Sequence, residues 1–266
     1  MTSATVVKLG GSVLTDPGAY RRAAGFVASL ISTARTRIVA VVSAEFGHTD
    51  RLLDEARRFH ARPDPGALDL LWATGELRSV ALLTFALHSA GVTATGLNVH
   101  ETGLRVFRRA SPTRDRVDFN TIELRAALER AAVVVVPGFL ATAGPRMVTL
   151  GRGGSDCSAV LLAAALGADR CVLVKDVDGY YTSDPREDAS ATLLSALTYG
   201  EAIAMADAGC PLVQRQAIVE ARDRGIELVV RSFESRGTEM TGTAGFVVDA
   251  LLTVEKSLTK PEVLNV

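Results

Sequence analysis

Several features that mark particular classes of protein are scarce in this chain of 266 residues. Its three cysteines, Cys157, Cys171 and Cys210, are scattered and odd in number, which indicates neither a disulfide framework nor a zinc site. The net charge is only −1 and the pI about 6.4, which argues against a general nucleic-acid or membrane-surface binder. We therefore expect a small-molecule partner, with no nucleic acid and no membrane among the partners.

The sequence also shows no signal peptide and no long apolar run. The first residues, Met1 to Thr5, lead at once into a short apolar strand, without the basic region and apolar run of a signal peptide. No uninterrupted apolar stretch is long enough to cross a bilayer. The sequence therefore predicts a cytoplasmic protein.

Hydrophobic residues make up 48% of the chain and charged residues 22%, which is sufficient for a sizeable core. Short β-branched runs alternate with longer helical patterns. The runs predict strands at residues 5–9, 37–43, 92–97, 132–136, 171–175 and 226–231. The longer patterns predict helices at residues 18–33, 49–60, 68–89, 121–130, 155–166, 199–208 and 212–224. This alternation predicts an α/β fold with a largely parallel sheet between helices, and Gly144-Pro145 predicts a hairpin loop.

The segment from Thr149 to Asp156 has three glycines within four positions, which fits neither ordinary helix nor strand. Ser155 and Asp156 are predicted to cap the apolar helix that follows. A glycine turn that opens a helix favours anion binding, because free N–H groups and the positive helix end point the same way. Arg152 adds a guanidinium suited to a carboxylate or phosphate.

Three further segments combine polar residues with strand ends. Lys8 is followed by Gly10 and Gly11, an arrangement suited to terminal phosphates, although a Gly-Gly turn after a strand is also common. Ser43 and Thr49 either cap the next helix or contact a polar substrate at the mouth of the sheet.

Glu76 interrupts an apolar helical pattern and either faces solvent or meets an ammonium group in a cleft. His48 has no partner nearby in sequence and is expected in a surface loop. The segment from Lys175 to Arg186 follows a buried-looking strand, which suits a nucleotide pocket, but Asp178-Gly179 and Asp184-Pro185 are equally typical of turns.

Taken in order, these segments resemble the amino acid kinase family, and within it the catalytic domains of aspartokinases. The matching motifs are Lys8-Leu-Gly10-Gly11, Ser43-Ala44 with Thr49-Asp50, Thr74-Gly75-Glu76 with Ser79-Val-Ala-Leu-Leu83, Gly138-Phe139 with the segment Thr149 to Asp156, the segment Lys175 to Arg186, and Val229 to Phe233 with Gly237-Thr238. The similarity covers nearly the whole chain, and the Gly-Arg-Gly-Gly-Ser-Asp motif is highly specific.

The resemblance implies a single domain over residues 1–266, an αβα sandwich of the amino acid kinase and carbamate kinase type. Within it, residues 1–137 would bind the phosphoacceptor and residues 138–266 the nucleotide. It further implies a homodimer that uses ATP and Mg²⁺ to phosphorylate a side-chain carboxylate of aspartate or a close analogue, in amino-acid biosynthesis.

The same resemblance implies residue roles. Lys8 would hold the transferring phosphate and Asp156 would position that lysine and the metal-bound nucleotide, so these two are the catalytic residues. The implied substrate-binding residues are Ser43, Thr49, Glu76, Arg152 and Ser155, with Glu76 on the α-ammonium and Arg152 on a carboxylate. The implied nucleotide-binding residues are Gly10, Gly11, Ser12, Gly153, Gly154, Lys175, Asp176, Tyr181 and Arg186. No residue is implied as a protein ligand of a metal.

Three departures from the family pattern stand out. The sequence ends at Val266, before the regulatory domains of most aspartokinases, so we expect no feedback inhibition through them. Pro211 stands where the family has a nucleotide-contacting lysine, and Lys175 stands where aspartokinases have threonine. A specialised paralogue with another small phosphoacceptor, another amino acid kinase branch such as a nucleoside-monophosphate or N-acetylamino-acid kinase, and a non-catalytic binding protein on the same scaffold remain alternatives.

Overall fold

The structure is a computed structural model that describes residues 4–34, 36–107, 116–151, 153–168, 170–210 and 212–242. Its helices are α1 (Pro17–Ala34), α2 (His48–Phe59), α3 (Pro65–Ser89), α4 (Val99–Thr102), α5 (Ile122–Arg130), α6 (Gly154–Leu166), α7 (Tyr199–Asp207) and α8 (Arg215–Arg224). Its strands are β1 (Ala4–Leu9), β2 (Arg37–Val42), β3 (Ala94–Gly96), β4 (Leu104–Phe107), β5 (Arg116–Phe119), β6 (Val133–Pro137), β7 (Leu140–Ala143), β8 (Arg146–Thr149), β9 (Arg170–Val174), β10 (Ala196–Thr198), β11 (Glu227–Arg231) and β12 (Thr238–Thr241).

Eight strands form the main sheet, in the order β10-β12-β11-β9-β1-β2-β6-β3. The strands from β11 to β3 are parallel, and β12 runs antiparallel to β11. The central strands are almost continuously apolar because helices cover both faces of the sheet. Successive residues of β1 show this: Val6 packs in the core under α5, α6 and α8, whereas Val7 packs in the core under α1 and α3. The predicted αβα sandwich with a largely parallel sheet is confirmed.

A second sheet of four strands, in the order β5-β4-β7-β8, has a small core of its own that includes Leu104 and Val148. The predicted hairpin is confirmed, because β7 and β8 are antiparallel and Gly144 adopts a left-handed φ of 61° between them. Strands β10 and β12 of the main sheet were not predicted, and neither were β4 and β5. Strands β4 and β5 have four residues each, and in β4 only Leu104 and Val106 are buried, which gives a weak pattern.

The predicted strands and helices are confirmed with small shifts at their ends. Helix α3 begins at Pro65 rather than at residue 68, because the Asp64 side chain accepts a hydrogen bond from the Ala67 N–H at 2.8 Å and proline occupies the first turn. The strand predicted at 92–97 is paired only over Ala94–Gly96.

Helix α3 is long and apolar enough, by length and composition, to cross a membrane, with a mean hydropathy of 1.3. Here it is a core helix. It packs against α1, where Tyr20 Oη and Ser79 Oγ are 2.9 Å apart, and its Val80, Leu83 and Leu87 lie in the core on that face of the sheet. Buried helices of water-soluble folds meet the same criterion of length and hydropathy.

Two helical glycines should respond in opposite directions to alanine. A Cβ at Gly75 in α3 would lie 2.8 Å from His48 Cδ2 and 3.1 Å from Ala44 Cβ, whereas a Cβ at Gly25 in α1 would meet nothing within 4 Å. We expect Gly75→Ala to lower the free energy of unfolding by about 1–3 kcal/mol through overpacking. Gly25→Ala should raise it by up to about 1 kcal/mol. Urea unfolding of both variants measures this; equal changes would contradict close packing at Gly75.

Candidate active site

Three charged side chains meet at the carboxyl end of the parallel strands. Lys8 lies in β1, Lys175 directly follows the neighbouring strand β9, and Asp156 lies in the first turn of α6. The Lys8 Nζ is 2.7 Å from Asp156 Oδ1, and the Lys175 Nζ is 2.9 Å from Asp156 Oδ2. One carboxylate therefore holds two ammonium groups, one on each oxygen.

This cluster has an excess of positive charge. Burial by itself raises the pKa of Asp156, but the charges of Lys8 and Lys175 and their hydrogen bonds outweigh it and lower that pKa to about 2. Burial and the charge of Lys8 lower the pKa of Lys175, against the attraction of Asp156. Two ammonium groups on one carboxylate leave one positive charge uncompensated within the cluster, which suits an anionic ligand such as phosphate.

The glycine turn after β1 approaches the next loop closely. The Gly10 N–H donates to the Val174 carbonyl at 3.2 Å, so it extends the pairing of β1 with β9. A Cβ at Gly11 would lie 2.6 Å from the Ala44 carbonyl oxygen, so only glycine fits there. Within the described residues no acceptor is found for the N–H groups of Gly11 and Ser12, which leaves these two amides for a ligand.

The second glycine turn, before α6, uses left-handed backbone that favours glycine: φ is 81° at Gly151 and 74° at Gly153. Gly153 is the N-cap of α6, and no side chain caps this helix. The prediction that Ser155 and Asp156 cap it is therefore wrong. Both residues lie in the first turn, where a carboxylate is favoured by the helix dipole. Arg152 lies outside the described residues.

The ends of β2 and β6 meet the start of α6. The Ser43 hydroxyl donates to Ser155 Oγ at 3.0 Å, and the Gly138 N–H donates to the Val42 carbonyl at 2.8 Å. A Cβ at Gly138 would lie 2.6 Å from Ser155 Cβ. The predicted substrate-binding residues Ser43 and Ser155 are thus in contact, because glycine permits the close approach.

Glu76 is a buried carboxylate with a free oxygen. It is 3% exposed, and its Oε2 has no hydrogen-bond partner within the described residues. Burial raises its pKa to about 8, although the Ala44 N–H and the charge of Lys8 act in the opposite direction. The alternative that Glu76 faces solvent is wrong: its side chain lines a cleft of about 480 Å³ together with Gly11, Ser43, Thr49, Gly153, Gly154 and Ser155.

Helix α2 forms one wall of this cleft. Its N-cap is Gly47, with a φ of 68° and no side-chain cap, so the capping explanation for Thr49 is wrong. The Thr49 carbonyl accepts a hydrogen bond from Trp72 Nε1 at 3.1 Å, which ties α2 to α3. His48, expected in a surface loop, is instead the first residue of α2 and packs against Gly75.

The aromatic residues of the cleft, Phe46, Trp72 and Phe139, were not identified as site residues from the sequence. Trp72 lies one helical turn before Glu76 and packs edge-on against Phe139, with ring centroids 6.0 Å apart. Phe139 has a φ of 62°, which is rare for a residue with a side chain, and the Leu140 N–H donates across it to the Gly138 carbonyl at 2.6 Å. Such strained backbone clusters at ligand sites. The Gly138-Phe139 motif was the feature of the sequence that could have identified Phe139 as a site residue.

The segment predicted to bind nucleotide divides into two parts. Lys175 joins the charged cluster, whereas Arg186 pairs with Asp184 at 2.8 Å in its own turn and its side chain is 88% exposed. Asp184 also accepts a hydrogen bond from the Arg186 N–H at 2.9 Å. This contact is typical of a turn, which was the alternative explanation for Asp184-Pro185. Asp176 is exposed, and the hydroxyl of Tyr181 donates to Asp178 at 3.4 Å. Pro211 lies outside the described residues.

Comparisons with known proteins agree on the family. A model of the amino acid kinase family matches residues 3–232. The chain is 38% identical over 228 residues to an aspartokinase of Thermus thermophilus, which covers 85% of this chain and 56% of that protein. An aspartate kinase from Synechocystis superposes with a TM-score of 0.80 at 34% identity, covering 90% of this chain and 40% of that one.

A uridylate kinase from Archaeoglobus fulgidus superposes with a TM-score of 0.64 at 19% identity, over 91% of this chain and 100% of that one, which is a likeness of fold alone. The chain spans about half the length of the curated relatives it matches.

Proposed function

The chain belongs to the amino acid kinase family, and from this premise we propose that it transfers the γ-phosphoryl group of ATP to a side-chain carboxylate of aspartate or a close analogue, giving an acyl phosphate. The observation that carries this proposal is the pairing of Lys8 and Lys175 on Asp156, beside a cleft that contains the unpartnered carboxylate of Glu76. An anion-binding cluster next to a carboxylate that can bind an ammonium group suits a phosphate donor and an amino acid as the two ligands.

The chemistry requires alignment and charge neutralisation more than proton transfer. A carboxylate is already ionised and nucleophilic at neutral pH, so no general base has to activate it. In the proposed site, Lys8 and the N–H groups of Gly11 and Ser12 stabilise the phosphoryl group, and the start of α6 at Gly154 adds its positive dipole end. Asp156 keeps Lys8 oriented. Ser43, Thr49 and Ser155 line the acceptor side, and we propose that Arg152 binds a carboxylate there.

We propose that Mg²⁺ enters with ATP. Within the described residues there is no group of three or more His, Cys, Asp and Glu side chains that could hold a metal ion. Mg²⁺ is commonly held by substrate phosphates, water and at most one or two carboxylates, so this donor set fits a metal carried by the nucleotide. Gly10, Gly153, Lys175, Asp176, Tyr181 and Arg186 remain proposed nucleotide-side residues.

We also propose the wider assignments that the family membership supports. Residues 1–266 would act as one domain, with residues 1–137 on the phosphoacceptor side and residues 138–266 on the nucleotide side. The protein would be a cytoplasmic homodimer that serves amino-acid biosynthesis. Light scattering of the purified protein measures the dimer, and a monomer at micromolar concentration would contradict it.

A hydroxamate assay tests the function. The protein, MgATP and hydroxylamine are incubated with aspartate, glutamate, N-acetylglutamate, succinate and UMP in parallel, and acyl phosphate is trapped as hydroxamate while ADP release is measured. We expect hydroxamate with aspartate or an analogue that keeps the α-amine. ADP release with UMP but no hydroxamate would favour the nucleoside-monophosphate alternative, and ATP binding without turnover would favour a non-catalytic binding protein.

Glu76 should make acceptor binding depend on pH. Its carboxylate form binds an α-ammonium, but with a pKa of about 8 the free site is largely protonated at lower pH. Binding must then release a proton, so the KM for the amino acid should fall as pH rises from 6 to 8, by up to about tenfold per unit. Glu76→Gln should raise that KM by about 10- to 100-fold and abolish its pH dependence.

The KM for ATP serves as the internal control, because Glu76 lies on the acceptor side and its loss should leave nucleotide affinity within twofold. Succinate, which lacks the amine, is the comparison acceptor. Turnover of succinate by the parent protein as efficient as that of aspartate would contradict an ammonium partner for Glu76.

A further inference from the structure

We propose that Lys175 is a second catalytic lysine, which contacts the donor phosphates and stabilises the charge of the leaving nucleoside diphosphate while Lys8 acts on the transferring group. The inference rests on the proposed kinase function and assigns a role within it. It follows from strand register, burial, charge and composition.

Strand register directs Lys175 to the same face of the sheet as Lys8. In the parallel pair of β1 and β9, Lys8 is opposite Leu173. Side chains alternate with period two, so Lys175, two residues beyond Leu173, points to the same face as Lys8. The Lys175 N–H donates to the Arg231 carbonyl at 2.8 Å, which continues the ladder between β9 and β11 and fixes the backbone there. The lysine is therefore held by the sheet, not by a mobile turn.

Burial and charge indicate a missing anion. The Lys175 side chain is 13% exposed, and a buried ammonium is costly unless it is paired. Its partner Asp156 is shared with Lys8, so the second lysine increases the positive charge rather than neutralising it. A purely structural role would be served better by one lysine on one carboxylate. Apart from the weaker influence of the exposed Asp176, the surplus charge is stabilised when an anion such as a phosphate binds beside it.

Composition supports a specific need for lysine. Of the 29 Lys and Arg residues, only Lys8, Lys175, Lys256 and Lys260 are lysines. The two that precede residue 243 are the two that contact Asp156. All other basic residues before residue 243, histidine aside, are arginines. A compact, point-like ammonium on a flexible stem suits phosphate oxygens in a narrow site, where a planar guanidinium does not fit equally well.

The step balances without a further reactant. A carboxylate oxygen of the acceptor forms a bond to the γ-phosphorus as the bond from that phosphorus to the bridging oxygen breaks. The electron pair of the broken bond stays on the β-phosphate of ADP as negative charge. Lys175, on the side of β9, neutralises this charge in the transition state and gives up no proton.

The experiment compares the parent with Lys175→Met, Lys175→Arg and Arg170→Ala, measuring MgATP and MgADP binding by calorimetry and turnover by hydroxamate formation. Arg170 lies at the opposite end of β9 and pairs with Glu227, so it is the matched control and should change neither quantity. We expect Lys175→Met to lower kcat by about 10²–10³-fold and to weaken MgADP binding, with the acceptor KM within threefold of the parent value. Lys175→Arg should recover less than a tenth of the parent kcat.

Binding of MgADP in the Asp156→Asn background separates a catalytic lysine from one that only positions Asp156. A contact with phosphate predicts that Lys175→Met still weakens binding there, whereas a role through Asp156 alone predicts no further loss. No further loss in that background, or parent-like kcat in either Lys175 variant, would overturn the proposal. If the parent binds MgATP but phosphorylates no acceptor, the proposed function fails while the binding comparison still tests the lysine–phosphate contact.

Discussion

Lys8→Ala should reduce phosphoryl transfer by a factor on the order of 10²–10³ while leaving the fold intact. The substitution removes a charge that acts on the transferring group. We therefore expect kcat to fall, while the KM values for ATP and for the acceptor change little. The fold should survive because Asp156 keeps the Lys175 ammonium at 2.9 Å and does not become an unpaired buried carboxylate. Single-turnover rates with saturating MgATP measure the effect.

The thermal stability of the Lys8 variants separates a loss of catalysis from a loss of fold. Lys8→Met, which retains the volume of the side chain, controls for the space that alanine leaves in the interior of β1. We expect both variants to be equally inactive and to unfold within a few degrees of the parent. A Lys8→Met variant that turns over at the parent rate would remove Lys8 from the catalytic machinery.

Asp156→Asn should have the second large effect, on activity and stability together. It leaves the ammonium groups of Lys8 and Lys175 facing each other without a counter-charge, in a site where their side chains are 5% and 13% exposed. Removing one partner of a buried ion pair typically costs about 3–5 kcal/mol. Activity should fall by a factor on the order of 10² or more, because Lys8 loses the carboxylate that orients it toward the transferring group.

The pH dependence of unfolding identifies the cause. In the parent, the pKa of Asp156 is lowered to about 2, so its contribution is complete above its ordinary pKa and is lost only as pH falls through 2. In Asp156→Asn, crowding of two ammonium groups in the folded state favours their deprotonation. The stability deficit should therefore shrink as pH rises from 7 to 10. Asp223→Asn, at an exposed position in α8, is the control, and a deficit that does not vary with pH would contradict this explanation.

The layers of the fold could be predicted from the sequence, because each buried strand and each helix shows its own hydrophobic pattern within a few consecutive residues. Val133 to Val136 form a short β-branched run that is typical of a strand covered on both faces, and the alternation of such runs with helical patterns indicates the sandwich. Of the second sheet only the hairpin of β7 and β8 could be predicted, because a strand such as Leu104–Phe107 buries only two residues and depends on partners distant in sequence.

The site was predictable where glycine and charge occur together at a strand end. Lys8 and Asp156 lie in such motifs, and the structure brings them into contact. Whether Glu76 faces the cleft or solvent could not be predicted. Helix α3 is apolar on most faces, so its hydrophobic pattern does not show which side is buried. The sharing of Asp156 by two lysines was equally inaccessible, because it depends on the register of β1 against β9.

The central position of β1 has a consequence for biosynthesis of the chain. Among the described strands β1 is synthesised first, and β2 can pair with one of its edges early, but the other edge pairs Val6 with Cys171 and Leu9 with Val174. On the ribosome, that edge stays open until β9 has emerged, with Val6, Val7 and Leu9 exposed along it. An unpaired apolar edge invites association with other nascent chains, and a charged residue within it discourages this. Lys8 is the only charge in β1, so the residue that we expect to serve catalysis is also the one charge that interrupts this apolar edge.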